Sequence, residues 1–279
     1  MQTCLSVKTP MKLKRLLIAT PLREGAGSNY VRELVPLIKA GVPGYDVHTL
    51  FIAGPSVNFA RNEIAFHAVA EDFDELVQID EDLMHWGRYL PRLMSHDVDI
   101  VGGVYCKKKV GAPFWLFTPK PDATVQPDGL LEVTGVATGF LRTKVHVLRE
   151  MMGHNPDNRF AAKSHEGDPS TIRFDWFPMG VVGKGTAEGR LDDIRAAVQD
   201  SSTTVADIRR IATEPREPGR LLGEDYYFCR EARRAGFRIF VDLGMGILPH
   251  IGNVAYPITQ AMVTYDEAAG STLPKAENI

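Results

Sequence analysis

The chain has 279 residues, with 32 basic and 35 acidic side chains and a formal net charge of −3. That length suits one large α/β domain or two small ones, either able to bury a real core. The near-neutral balance excludes a global attraction for nucleic acid or membranes, so such a partner would need a local patch. Cys4, Cys106 and Cys229 are odd in number and scattered, which excludes a disulfide framework or a cysteine metal site and favours a reducing cytoplasm. No basic start leads into an apolar core and no apolar run reaches ~18–20 residues, so neither a secretory signal nor a membrane span is expected.

The apolar run at 15–20 predicts a buried first strand, ended by Pro21 and the Gly-rich stretch behind it. Ser28 is placed to cap a helix to about residue 40, whose apolar face holds Val31, Leu34, Leu37 and Ile38. A strand at 47–53 and a Ser56-capped helix at 57–70 follow, the latter with Ala60, Ile64 and Ala68 on one side. A third strand at 75–80, a helix at 86–95 and a fourth strand at 99–105 complete an alternation that argues for a mainly parallel sheet. Such sheets place ligands at the carboxyl ends of their strands.

Beyond residue 110 the pattern changes. Strands are expected at 113–118, 130–142 and 171–177, with a helix at 143–152. The stretch 178–221, rich in Gly, Arg, Asp and Ser, reads as a helical insertion or flap with helices near 189–199 and 203–212. A helix at 223–236 and a strand at 237–242 close the series. The expectation is a single domain over 14–256, with tails at 1–13 and 257–279.

Three acids, Asp80, Glu81 and Asp82, stand directly behind the apolar run of the third strand. In an extended segment Asp80 and Asp82 point the same way and offer two carboxylates to one hard cation. For any arbitrary Asp-x-Asp a solvated turn or a charge at a helix N-terminus is the simpler account; here the apolar approach "ELVQI" (75–79) fixes the cluster at a sheet edge. Glu224 and Asp225 open the helix at 223–236, where the helix dipole is sufficient reason for acids. A lone histidine such as His250 is usually structural, but its place after a strand in a Pro/Gly loop also makes it a candidate for a metal ligand or a phosphate contact.

Taken in order, "TP" (20–21), "ARNEIA" (60–65), "IDED" (79–82), "VGGVYCKK" (101–108), "VATGFLRTK" (136–144), "GEDYYFCREARRAGFRIFVD" (223–242) and "HIG" (250–252) resemble the GT-A type of glycosyltransferase. The resemblance spans roughly residues 14–252 and points to bacterial and bacteriophage enzymes, some of which glycosylate modified DNA bases. It implies a GT-A (Rossmann-like) fold, a UDP-sugar or another nucleoside-diphosphate sugar as donor, and Mn²⁺ or Mg²⁺. Thr20 and Pro21 would line the nucleotide pocket; Arg61 and Asn62 would touch the nucleotide or diphosphate. Asp80 and Asp82 match the Asp-x-Asp motif, with Asp82 the direct metal ligand, Asp80 nearer the ribose and Glu81 between them. Thr138 and Gly139 would pass beside the donor sugar. Glu224 and Asp225 match the acidic pair near the reacting sugar and acceptor, and His250 a histidine that completes the metal shell. Asp225 would be the base of an inverting reaction and Glu224 would bind acceptor or sugar.

The acceptor implied is a hydroxyl, with a hydroxymethylated pyrimidine of phage DNA as one form. Lys107–Lys109, Arg209, Arg210, Arg216 and Arg220 are the basic residues available to phosphates, although each also suits a solvated loop. Trp86, Trp115 and Trp176 read more simply as packing residues than as stacking platforms. Two other classes stay open: a nucleotidyltransferase acting on a sugar phosphate, to which "TPLREGAG" (20–27) lends some flavour, and a non-catalytic nucleotide-sugar-binding module.

Overall fold

The computed structural model describes residues 12–23, 27–105, 108, 116–162, 171–183, 186–216, 218–251 and 255–256. Expectations for Cys4, Cys106, Lys107, Lys109, Trp115, Gly252 and most of both tails fall outside the described residues.

Strand and helix alternate at first: β1 (Lys14–Leu22), α1 (Ser28–Ala40), β2 (Tyr45–Ala53), α2 (Val57–Ala70), β3 (Glu75–Ile79), α3 (Trp86–Ser95) and β4 (Ile100–Tyr105). Next come β5 (Phe117–Pro119), β6 (Leu130–Val136), β7 (Phe140–Lys144), α4 (Val145–His154), β8 (Arg159–Ala162) and β9 (Thr171–Phe174). The last third holds β10 (Gly180–Val182), α5 (Ala187–Gln199), α6 (Val205–Thr213), β11 (Arg220–Leu222), α7 (Glu224–Arg234), β12 (Ile239–Leu248), β13 (His250–Ile251) and β14 (Ala255–Tyr256).

One sheet runs in the order β2-β1-β3-β7-β4-β12-β6-β5. Strands β2, β1, β3, β4, β12 and β5 point one way, and β7 and β6 point the other. The expected mainly parallel, Rossmann-like α/β domain is therefore present, with two reversed strands set into it. Residues along each strand alternate between two cores, because side chains change face at every step. Leu17, Ala19, Leu76, Ile100, Ile239 and Val241 pack with Ile64 and Ala68 of α2, Leu148 of α4 and Phe228 of α7. Leu16, Ile18, Val77, Val101 and Phe240 pack on the other side with Tyr30 and Leu34 of α1 and Leu90 of α3.

Several local expectations shift. Gly27, not Ser28, occupies the cap of α1, with extended backbone and its carbonyl bonded to Val31 N at 3.2 Å. The buried stripe of α1 is Tyr30, Leu34 and Leu37, while Val31 and Ile38 face solvent. Tyr30 sets that rotation: its ring lies 5.1 Å from the Trp86 ring and its hydroxyl bonds to Thr20. Ser56 stands at the cap of α2 without a side-chain cap bond, while Ala60, Ile64 and Ala68 are buried as expected. The run 130–142 divides at residues 137–139 into β6 and β7, and β7 crosses to lie between β3 and β4. The last strand continues past 242 to Leu248, through an irregularity between Asp242 and Ile247. The stretch 178–221 forms α5 and α6 on a stem, where Gly180 pairs with Leu222 and Val182 with Arg220.

These features bring the carboxyl ends of β1, β3, β4 and β12 to one edge. Glu33 of α1 fixes the loop there, accepting Gly87 N at 2.7 Å and also His85 N, two donors that helix α3 cannot satisfy itself.

Candidate active site

Asp80 follows the end of β3, and its amide bonds to Gly139 O at 2.8 Å. Its carboxylate accepts Arg61 Nη2 at 2.9 Å. Arg61 lies on α2 with a side chain only 3% exposed, and Nη1 reaches Gln78 Oε1 at 3.3 Å and Thr138 O at 3.5 Å. Its Nε has no hydrogen bond; Glu224 Oε1 and Asp225 Oδ1 stand 3.8 and 3.9 Å away. One buried guanidinium therefore faces three carboxylates, which are 23%, 15% and 22% exposed for Asp80, Glu224 and Asp225. A ligand can reach the acids but not the arginine.

Asp225 sits in the first turn of α7 and accepts a hydrogen bond from the Thr138 hydroxyl. Burial pushes its carboxyl up to about 7, Arg61 opposes the rise and Glu224 adds to it. For Arg61 burial disfavours the charge, yet Asp80 and Asp225 foremost hold its pKa above the ordinary value. Gly139 is the point of closest approach. A Cβ there would fall 2.5 Å from Asp80 Oδ2 and nearer still to the Tyr105 hydroxyl. That hydroxyl accepts Gly139 N at 2.6 Å, and burial together with Asp80 keeps it protonated well above the usual tyrosine range.

The acidic turn itself departs from the extended geometry. Leu83 N bonds back to Asp80 O at 3.2 Å, so residues 80–83 turn, and Asp80 and Asp82 take different partners. Asp82 Oδ1 lies 3.0 Å from His250 Nε2, and Oδ2 pairs with the Lys108 ammonium. Backbone contacts arrange this meeting: Leu83 and His250 form an antiparallel bridge, and Met84 N donates to Pro249 O at 3.0 Å. Burial raises the Asp82 carboxyl, but His250 and Lys108 outweigh it and hold the group below its ordinary value. The Tyr105 ring meets His250 edge-on at 5.3 Å and so joins the two halves of the site.

Mg²⁺ or Mn²⁺ takes one or two protein carboxylates and completes its shell with water and phosphate oxygens. An ionised Asp82 beside an imidazole nitrogen matches that donor set, and the ammonium on Asp82 shows that the position accepts positive charge. Among the described residues no three His, Cys, Asp or Glu side chains form a ready cage, so phosphate and water would supply the other ligands.

The structure thus gathers Arg61, Asp80, Thr138, Gly139, Glu224 and Asp225, and sets Asp82 with His250 beside them. Thr20 and Pro21 end β1 beside β3, one and two residues past the Ala19–Gln78 pair, but are buried there, and the Asn62 side chain is directed away from the cluster. Thr20 is wholly buried on Tyr30, and Pro21 is buried in β1. Asn62 turns the other way, donating to Asp175 at 2.6 Å and accepting Trp176 N and Phe177 N at 2.9 and 3.0 Å. Glu81 accepts Arg23 N at 3.2 Å and ties the loop after β1 to the acidic turn. Trp86 and Trp176 are core residues. Arg210 is paired with Glu214 at 3.5 Å, and Arg216 with Asp193 at 2.7 Å.

Tyr105 and Gln78 were not foreseen. Gln78 carried a signal, as the one amide in the apolar strand "ELVQI" (75–79), buried without a visible reason until Arg61 meets it. Tyr105 carried less: an aromatic ending a strand is ordinary.

No protein-family model matches this chain, and no curated protein matches it. Among solved structures it is similar to A197 from STIV, with a TM-score of 0.40 and 16% identity over 85% of this chain and 86% of that chain. No helix among the described residues is long and apolar enough to cross a membrane.

Proposed function

We propose that the chain is a metal-dependent glycosyltransferase of the GT-A type, moving a sugar from a nucleoside-diphosphate sugar to an acceptor hydroxyl. The observation that carries this reading is the meeting of Asp80, Glu224 and Asp225 on buried Arg61, beside the Asp82–His250 pair, at the carboxyl edge of the sheet. Asp82 and His250 would hold the divalent ion and Asp80 would lie nearer the ribose; such an ion would supply the charge that offsets a departing diphosphate. Asp225 takes the proton of the acceptor hydroxyl as it attacks. A carboxyl raised to about 7 suits a general base near neutrality. Thr138 fixes the orientation of that carboxylate, and Glu224 binds the acceptor or the sugar. Arg61 keeps three acids together without touching substrate.

Incubation with a panel of nucleotide sugars and Mn²⁺ or Mg²⁺ tests the reading, with hydroxymethylated pyrimidine DNA as the first acceptor. Release of nucleoside diphosphate is the expected result. Release of pyrophosphate from a triphosphate and a sugar phosphate would instead mark a nucleotidyltransferase. Donor binding without turnover across acceptors would leave a binding module.

A further inference from the structure

Strand β2 is an outer strand of the eight-stranded sheet, and among the described residues it pairs with β1 alone. All nine of its residues match β1 in unbroken register, so its outer edge is long and regular. A free edge presents a row of unpaired amides and carbonyls, which proteins blunt with lysine, proline, a bulge or a cover. Tyr45–Ala53 holds no lysine, no proline and no bulge. Its one carboxylate, Asp46, stands near the start of the strand and pairs with His48 at 3.0 Å.

Helix α1 adds an apolar flank to this edge. Tyr30, Leu34 and Leu37 face the sheet, and Glu33 faces α3 through Gly87 N. At about 3.6 residues per turn, Val31, Val35 and Ile38 fall on the flank opposite Glu33. Helix α3 lies over β4, β7 and β12, towards the middle of the sheet, so that flank looks out over β2. These three side chains are 42, 44 and 53% exposed. Val47, Thr49 and Phe51 share the face of β2 beneath α1, and Phe51 is 39% exposed with its ring 6.0 Å from that of Tyr30.

The strand and the helix stripe have the same midpoint. The Tyr30–Phe51 contact aligns the start of α1 with the end of β2. From Phe51 back to Thr49 is about 7 Å along a strand, and from Tyr30 on to Leu34 is about 6 Å along a helix. A two-fold axis through Thr49 therefore also passes the centre of the Val31–Ile38 stripe. Antiparallel pairing about that axis uses the whole of β2 and sets Val47 opposite the partner's Phe51 on each side of it. An edge about 30 Å long, roughly 20 Å deep across sheet and helix, gives a flat footprint on the order of 600 Å². Side-chain relief adds to that, and a stable complex buries about 800 Å² per partner.

We propose that β2 and α1 form the interface of a two-fold dimer of this chain, in which the two sheets join through their β2 edges. A closed two-fold contact of this kind covers the same surface on both copies. Strands of the two copies run in opposite directions across it, so the two acidic clusters open at opposite ends of the joined sheet. The interface is independent of the transferase reading, since it shares no residue with the acidic cluster.

Sedimentation equilibrium of the full chain, at roughly 1–100 μM, tests the assignment. A reversible monomer–dimer equilibrium is expected. Thr49→Lys brings two like charges together at the axis, and Val35→Lys does the same between the helices. Each should weaken the dimer at least ~10-fold, with the circular dichroism spectrum of the wild type, because both positions are exposed. Val198→Lys, at a 64% exposed apolar residue of α5, should leave the equilibrium unchanged. A monomer throughout the range, which would leave the edge to a foreign strand or to the chain's own ends, would overturn the proposal. So would a dimer that persists in either interface variant, or one that Val198→Lys weakens equally.

Discussion

Two buried arginines divide the molecule by what surrounds them. Arg142 of β7 sits near the amino end of β3, where it donates to Glu75 at 2.9 Å and to His96 O and Val98 O at 2.9 and 2.7 Å. Glu75 in turn accepts Tyr45 at 2.7 Å and Lys14 at 3.2 Å. Arg61, at the carboxyl edge, bonds closely to Asp80 but holds Glu224 and Asp225 only at longer range. Both leave Nε without a hydrogen bond, so the arginines themselves are alike. The acids differ. Burial raises Glu75, but Tyr45, Arg142 and Lys14 bring it below its ordinary value, whereas burial and Glu224 push Asp225 up to about 7 despite Arg61. A satisfied ion pair of the first kind fixes a sheet. An acidic surplus of the second kind is where a cation, a proton or a substrate is taken up.

The contrast breaks most sharply at Asp225. Asp225→Asn is expected to keep donor binding and to lower transfer by roughly 10²–10⁴-fold, measured as single-turnover product formation. Near-normal transfer would remove Asp225 as the base.

Next in size, Arg142→Met takes from buried Glu75 its one buried cation, leaving Tyr45 and Lys14 on the other oxygen, and is expected to cost about 3 kcal/mol in chemical denaturation. Arg61→Met is expected to destabilise less, because Asp225 and its neighbours are partly open and can take up protons. Equal losses would mean that the two arginines serve the same structural purpose.

A smaller effect is expected at Gly139, where an added Cβ meets Asp80 and Tyr105. Gly139→Ala should cost ~1–3 kcal/mol and disturb metal-dependent donor binding as well. Wild-type donor affinity in that variant would separate the 137–139 segment from the site.

The pH dependence of stability is the finest test. Asp225 binds its proton more tightly folded than unfolded, so its contribution is present below about pH 4 and is lost as pH rises through about 7. Glu75 has the opposite sign: its contribution is present above the ordinary carboxylate value and is lost as pH falls through its lowered value. Asp225→Asn should therefore raise the melting temperature at pH 8 relative to pH 5, by roughly 2–4 °C for each kcal/mol regained. An unchanged pH profile would contradict the raised carboxyl.

Much of this was legible in the sequence, for physical reasons. Acids that follow an apolar strand or open a helix announce themselves, so Asp80, Asp82, Glu224 and Asp225 stand out, and strand–helix alternation gives the sheet. What stayed hidden depends on long-range pairing. Nothing local in "LLEVTGVATGFLRTK" (130–144) says that its second half crosses to lie between β3 and β4, yet that crossing carries Thr138 and Gly139 to Asp80 and Asp225. The turn at 80–83 likewise depends on the bridge to His250, far along the chain. Thr20 and Asn62 fit a motif by order, but their side chains are taken by Tyr30 and by Asp175 with two backbone amides.

The most direct measurement is calorimetric titration of wild type and Asp82→Ala with uridine or guanosine diphosphate, each with and without Mn²⁺. Wild type should bind only with the ion, and Asp82→Ala should lose that binding by ~100-fold with the fold intact. Equal affinity in the two proteins, or affinity indifferent to manganese, would contradict a nucleotide diphosphate seated through Asp82 and His250.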